Sequence, residues 1–150
     1  MSIEKDISQP SFRNEYQKGI INLIYTYNWM NEKMKKVFDK DDITGQQYNI
    51  LRILRGAGKP ISTLQIRERM LDKMSDTSRI VDRLVLKGLA KKTVCKDDKR
   101  LVDVSISNKG KTLLEKIDLY EKDIDAILAN LTDTEAKTLN KLLDKIRKSN

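Results

Sequence analysis

The stretch from Ser75 to Gly110 restricts the fold more than any other, because it runs a short basic helix directly into two strand-like segments. In SDTSRIVDRLVLKG, Ile80, Val81, Leu84 and Val85 recur at helical spacing and define one face to be buried. Arg79 and Arg83 lie four apart on the opposite side, with Ser75 and Asp76 a turn earlier. One exposed stripe thus carries both cations and short hydrogen-bonding groups, which is what a DNA major groove requires of a helix. The segments LAKKTVC and LVDVSIS follow, joined by the charged tip KDDKR; Val102, Val104 and Ile106 alternate with Asp103 and Ser105, the pattern of a strand with one face buried.

Two arginines on an isolated helix are more often only a solvated face, and the charge distribution decides against that reading. Residues 1–44 hold 7 basic and 7 acidic side chains, residues 45–110 hold 15 and 7, and residues 111–150 hold 8 and 8, so the whole formal net charge of +8 lies in the middle segment. Such concentration is the footprint of a polyanion-binding unit. Single-strand readers stack bases on aromatic rings, yet no Phe, Tyr or Trp occurs between Tyr48 and Tyr120. A membrane-surface helix would leave bulky apolar anchors exposed, whereas here the apolar face belongs to the core. Duplex DNA is the favoured partner, and no membrane contact is expected.

With 150 residues the chain can bury one core, or a core with helical arms, and one domain over 1–150 is expected. The single cysteine, Cys95, excludes an intramolecular disulfide, and no long apolar run supplies a membrane span or signal peptide, so the expected compartment is the cytoplasm. Cys95 adjoins the exposed tip, and with no resolving partner its thiol is read as incidental. Histidine is absent, which removes the commonest general base and transition-metal ligand. The run Asp39, Asp41, Asp42 is read as a polar loop, since Ile43 and Thr44 occupy positions where a calcium loop needs a ligand and a glycine. Gly56 and Gly58 lack the ending of a phosphate loop. Neither an enzyme nor a cofactor is expected.

Taken in order, residues 1–10 lack periodicity and are expected to fray. A long helix from about Ser11 to Phe38 carries Ile20, Ile24, Tyr27, Met34 and Phe38 on a broad apolar stripe. Thr44 with Gln47, Ser62 with Gln65, and Thr132 with Glu135 are three capping boxes, each opening a helix between staple positions Ile43 and Tyr48, Ile61 and Ile66, and Leu131 and Ala136. Ser75 is expected to cap the basic helix, Gly88 to close it, and Ser107 to cap the next. In that next helix Leu113, Ile117, Tyr120, Ile124, Ile127 and Leu131 follow a heptad-like spacing, the seam of a helix packing on helices. The predicted fold is mainly α with a small β-hairpin wing (α+β): a winged helix-turn-helix over about 44–110, with helical arms over about 11–38 and 111–148. Apolar stripes on both arms predict a homodimer, the alternative being packing within one chain. The predicted interface is Ile117, Tyr120, Ile124, Ile127 and Leu131.

Over about residues 43–130 the chain resembles the MarR family of winged helix-turn-helix transcription regulators. The resemblance rests on Ile43-Thr44-Gly45-Gln46-Gln47, on Ser78-Arg79-Ile80-Val81-Asp82-Arg83-Leu84 with Lys87-Gly88-Leu89, and on Asp98-Lys99-Arg100 with Ser107-Asn108-Lys109-Gly110. It implies an obligate homodimer on a pseudo-palindromic operator, reading helices in major grooves and wing arginines in flanking minor grooves, and release of DNA by small phenolic or lipophilic ligands. By position, Arg100 is the wing arginine and Asp98 the carboxylate that orients it. The candidate DNA contacts are Ser62, Thr63, Ser75, Asp76, Thr77, Ser78, Arg79, Arg83, Asp98, Lys99 and Arg100. Asp76 stands where the family often has a neutral residue, which leaves open whether it accepts from a cytosine amino group or faces the helix dipole. Tyr25, Trp29 and Tyr48 are candidate ligand contacts. The expected function is a sequence-specific duplex-binding regulator, a repressor by preference. Competing with it is a winged helix used for protein contacts, or for non-specific nucleic-acid binding without ligand control.

Overall fold

In the computed structural model, which describes residues 2–94 and 102–148, the α-helices other than the two shortest start at a side chain that caps them. The order is α1 (Ile3–Asp6), α2 (Glu15–Phe38), a 3-10 turn (Asp39–Asp41), α3 (Gly45–Ala57), β1 (Ile61–Ser62), α4 (Thr63–Arg69), α5 (Thr77–Leu86), β2 (Ala90–Val94), β3 (Val102–Ile106), α6 (Asn108–Asp118), α7 (Glu121–Asp125), a second 3-10 turn (Ala126–Leu128) and α8 (Asp133–Ile146). All three capping boxes form reciprocally, at Thr44, Ser62 and Thr132, each satisfying two backbone N–H groups that a helix start leaves open. Gly58 ends α3 at φ +65° and Gly88 follows α5 at φ +71°, a left-handed backbone that side chains rarely adopt.

β1 extends the hairpin to a three-stranded antiparallel sheet in the order β1-β3-β2, with Ile61 opposite Val104 and Ala90 opposite Ile106. The core gathers Ile50, Leu51 and Leu54 of α3, Ile66 of α4, Val81 and Leu84 of α5, Val104 of β3, and Leu114 and Ile117 of α6. Gly110 lets α6 close on the base of the wing, since a Cβ there would overlap the Leu89 carbonyl oxygen. Both staples around α3 are buried, with the Tyr48 ring 4.6 Å from that of Phe38.

Three expectations are corrected. The first ten residues hold a short helix, because Ile3 is buried and Glu4 pairs with Lys18 of α2 at 2.6 Å. The long helix begins at Glu15, four residues late, where Asn14 accepts from the Gln17 amide. The heptad-like seam is not one helix: the chain breaks at Leu119–Tyr120, leaving α6 and the short α7 as separate pieces.

α2 and α8 behave differently from the core helices. Ile20 and Tyr27 of α2 are 60% and 61% exposed, and every residue of α8 is at least partly exposed, Leu142 and Ile146 among them. No helix among the described residues is long and apolar enough to cross a membrane.

Candidate nucleic-acid interface

The basic helix α5 buries Ile80, Val81 and Leu84 and exposes Ser78, Arg79, Asp82 and Arg83 on the other side. Its cap is Asp76, whose carboxylate accepts from the Arg79 amide at 3.1 Å, which corrects the expectation that Ser75 caps it. The Ser75 hydroxyl instead donates to the Asp72 carbonyl at 2.8 Å, one turn upstream. The carboxylate of Asp76 thereby serves the helix start, where it also complements the dipole. Thr77 does not belong to the exposed stripe: it is 4% exposed, and its hydroxyl has no hydrogen-bond partner among the described residues. The remaining carboxylate on the exposed face, Asp82, is paired with Lys92 of β2, so the wing strand offsets the negative charge nearest Arg79 and Arg83.

The turn into α5 is fastened to α3. Gln46 donates its side-chain amide to the Asp72 carboxylate at 2.9 Å, Asn49 accepts from the Leu71 amide at 3.0 Å, and Asp72 accepts from the Met74 amide at 3.0 Å. At the other end Lys87 donates to the Asp42 carbonyl. Sequence reading missed these positioning side chains, because the residues they join are 22, 26 and 45 apart and carry no local pattern. Ser62 and Thr63 are half-buried at the start of α4, and the Ser62 hydroxyl is engaged in its capping box. Lys91 and Lys92 are exposed on the strand leading toward the tip. Asp98, Lys99, Arg100 and Cys95 lie outside the described residues.

Two predicted groups are redistributed. Ile117 is fully buried in the protomer's own core and so is not open to a partner subunit, and Tyr120 is half-buried with its hydroxyl donating to Asp41. Their apolar faces are covered within the chain, as the heptad-like spacing alone did not reveal. Ile124 packs against the same core, Ile127 is half-buried and Leu131 is exposed. Tyr48, expected beside Tyr25 and Trp29, is buried against Phe38 and accepts from Arg52 at 3.1 Å, whereas Tyr25 and Trp29 stay exposed on α2. The Asp39–Asp42 run is not a solvated loop throughout, since the Asp41 side chain is enclosed. Next to α5 a cavity of about 500 Å³ opens between Ile43, Gln47, Arg83, Leu86 and Lys87.

A family model described as MarR family matches residues 41–101, the span from the end of the 3-10 turn before α3 to the wing. The multiple antibiotic resistance protein MarR of Escherichia coli (strain K12) is 29% identical over 133 residues, covering 85% of this chain and 92% of its own. The HTH-type transcriptional regulator PecS of Dickeya dadantii is 27% identical over 123 residues, covering 79% of this chain and 74% of its own. Among solved structures, a MarR variant from E. coli complexed with operator DNA superposes with a TM-score of 0.82 at 25% identity, covering 92% of this chain and 99% of that one. The apo form of wild-type E. coli MarR gives 0.68 at 27% identity, covering 85% and 96%.

Proposed function

We propose that this chain is a member of the MarR family of DNA-binding transcription regulators, and that it acts as a homodimeric repressor that binds a pseudo-palindromic duplex and is released by a small lipophilic or phenolic ligand. The observation that carries the reading is α5: its apolar side is buried, and Ser78, Arg79 and Arg83 project from the other, with the nearby carboxylates Asp76 and Asp82 engaged by a cap and by Lys92. In this reading the N-terminal turns of α5 enter the major groove, where Arg79 suits the paired acceptors of guanine. Arg100 reaches the flanking minor groove with Asp98 orienting it by a charge-assisted hydrogen bond. Ser62 and Thr63 at the start of α4 contact phosphates.

The dimer is supported by the exposed apolar faces of α2 and α8. Duplex binding is supported by the likeness to a MarR variant solved with operator DNA, TM-score 0.82 at 25% identity. The ligand part of the reading is supported by the cavity beside α5, where Ile43 and Leu86 offer apolar surface among the charged side chains of Asp39, Asp42, Arg83 and Lys87, a setting for a small molecule with an apolar body and a polar group.

Selection of bound duplexes from a random pool tests the reading. The expected product is an inverted repeat, bound far more tightly than a scrambled duplex and weakening steeply with salt. Equal binding to all sequences, or to none, contradicts it. Transcription from a promoter carrying the repeat should fall on adding protein and recover on adding an effective phenol; stimulation by the protein would overturn the repressor assignment.

A further inference from the structure

The C-terminal arm changes direction between Asp118 and Glu121, where α6 stops and α7 begins. Three of those four residues are held by α3 and by the turn that precedes it. Arg55 donates through both terminal nitrogens to the two carboxylate oxygens of Asp118, at 2.6 and 3.1 Å. Arg52, nearly one turn earlier on α3, lies 3.5 Å from Glu121 while donating to the Tyr48 hydroxyl. Tyr120 donates its hydroxyl to Asp41, which Lys116 also contacts. Leu119, 85% exposed, is the one residue of the break outside this grip.

Asp41 is an unusual choice for a surface turn, since its side chain is only 4% exposed. A carboxylate so enclosed is costly unless hydrogen-bonded, and both donors come from the far arm. Burial alone would raise its pKa, but the hydrogen bonds from Lys116 and Tyr120 outweigh that and hold it below the ordinary carboxylate range. Burial, and then the bond to Asp41, push the Tyr120 phenol up to about 12. Lys40 also stands over the Tyr120 ring, 5.7 Å from its centroid. The next residue, Asp42, takes a left-handed backbone (φ 53°), and its carbonyl accepts from Lys87 at the end of α5. The turn therefore touches the bend of the C-terminal arm through one residue and the reading helix through the next.

We propose that Asp41, Arg52 and Arg55 are positioning residues that lock the bend at Asp118–Glu121 against the winged unit and so fix the separation of the two reading helices in the dimer. This rests on the dimeric, duplex-binding reading. A bidentate arginine-carboxylate pair fixes an angle as well as a distance, and the enclosed Asp41–Tyr120 bond adds a second point, so rotation of the arm about the bend is blocked. With the arms docked on a second copy, that restraint becomes a restraint on the distance between the two copies of α5, which operator geometry reads as half-site spacing.

The test uses the full chain and a series of duplexes in which the two half-sites of the selected repeat are moved apart or together by single base pairs. Tyr120→Phe keeps the ring and removes the bond to Asp41; Arg55→Lys keeps the charge and removes the bidentate pair; Asp41→Asn removes the carboxylate. The wild type should prefer one spacing, and each variant should lose at least roughly fivefold of that preference while still binding its best duplex. A mere loss of stability would lower affinity alike at every spacing, so variants whose spacing profile is unchanged overturn the proposal. If Asp41→Asn does not fold, the same readout on Tyr120→Phe and Arg55→Lys decides. A wild type indifferent to spacing overturns the dimeric reading and the bend's role together, whereas a discriminating wild type with equally discriminating variants overturns the bend's role alone.

Discussion

α3 and α8 begin with the same device, a threonine capping box, yet their outcomes differ. α3 buries Gln47, Tyr48, Ile50, Leu51 and Leu54, while α8 buries nothing. The contrast extends to the regions they represent: the winged unit closes its own core around α3, α5 and the sheet, whereas α2 and α8 display apolar side chains to solvent. A cap fixes where a helix starts and says nothing about what covers it. Short-range signals therefore define both regions equally well, but only the winged unit is complete in one chain. The arms need a second surface, and in the reading given above that surface is another copy.

The largest difference should appear on truncating core and arm residues in parallel. Leu84→Ala removes a fully buried side chain from α5 and should cost about 2–5 kcal/mol in chemical denaturation. Leu142→Ala on α8, more than half exposed in the protomer, should leave the denaturation of a diluted, monomeric sample nearly unchanged. Equal costs would erase the distinction between the regions.

Association is the next most sensitive property. Ile24→Glu places a charge on the exposed stripe of α2, and should raise the dimer dissociation constant tenfold or more, about 1.4 kcal/mol or above, in sedimentation. A wild-type protein that sediments as a monomer at micromolar concentration would remove the basis for the comparison.

Capping offers a finer test. Thr44→Ala should cost about 1 kcal/mol, because α3 is integral to the cooperative core. Thr132→Ala should cost less in the monomer, where α8 can fray locally without unfolding the rest. The smallest effect is at the junction of the two regions. The Tyr120 phenol has its pKa raised to about 12, so the bond to Asp41 contributes fully below the ordinary tyrosine value of about 10 and is lost as pH rises through about 12. In an ultraviolet titration of tyrosinate formation, Tyr120→Phe should delete the step near pH 12; a wild type lacking that step would contradict the enclosed hydrogen bond.

What the sequence disclosed follows the range of each interaction. Thr44 with Gln47, or Ser62 with Gln65, act across three residues and were legible, as were the buried face of α5 and the left-handed Gly88. Asp76 displaced Ser75 as the cap because Asp72, held by Gln46 from α3, brings its carbonyl within reach of the Ser75 hydroxyl. β1 is two residues long: Lys59-Pro60-Ile61 reads as an extended, strand-like link, but its place as a third strand of the sheet emerges only from pairing with Val104 and Asp103. The spacing of Ile117 and Tyr120 announced a packed face but not its partner. That partner proved to be the chain's own core and Asp41, 79 residues from Tyr120.

The most direct test of α5 as the reading helix is the affinity of Arg79→Ala for the selected duplex and for duplexes changed one base pair at a time. If Arg79 reads a base edge, the variant should lose about 1–3 kcal/mol on the selected duplex and cease to discriminate at one position, with the other positions still distinguished. A variant that weakens alike on every duplex, with wild-type discrimination at each position, would show that the exposed face of α5 meets phosphates only and does not read sequence.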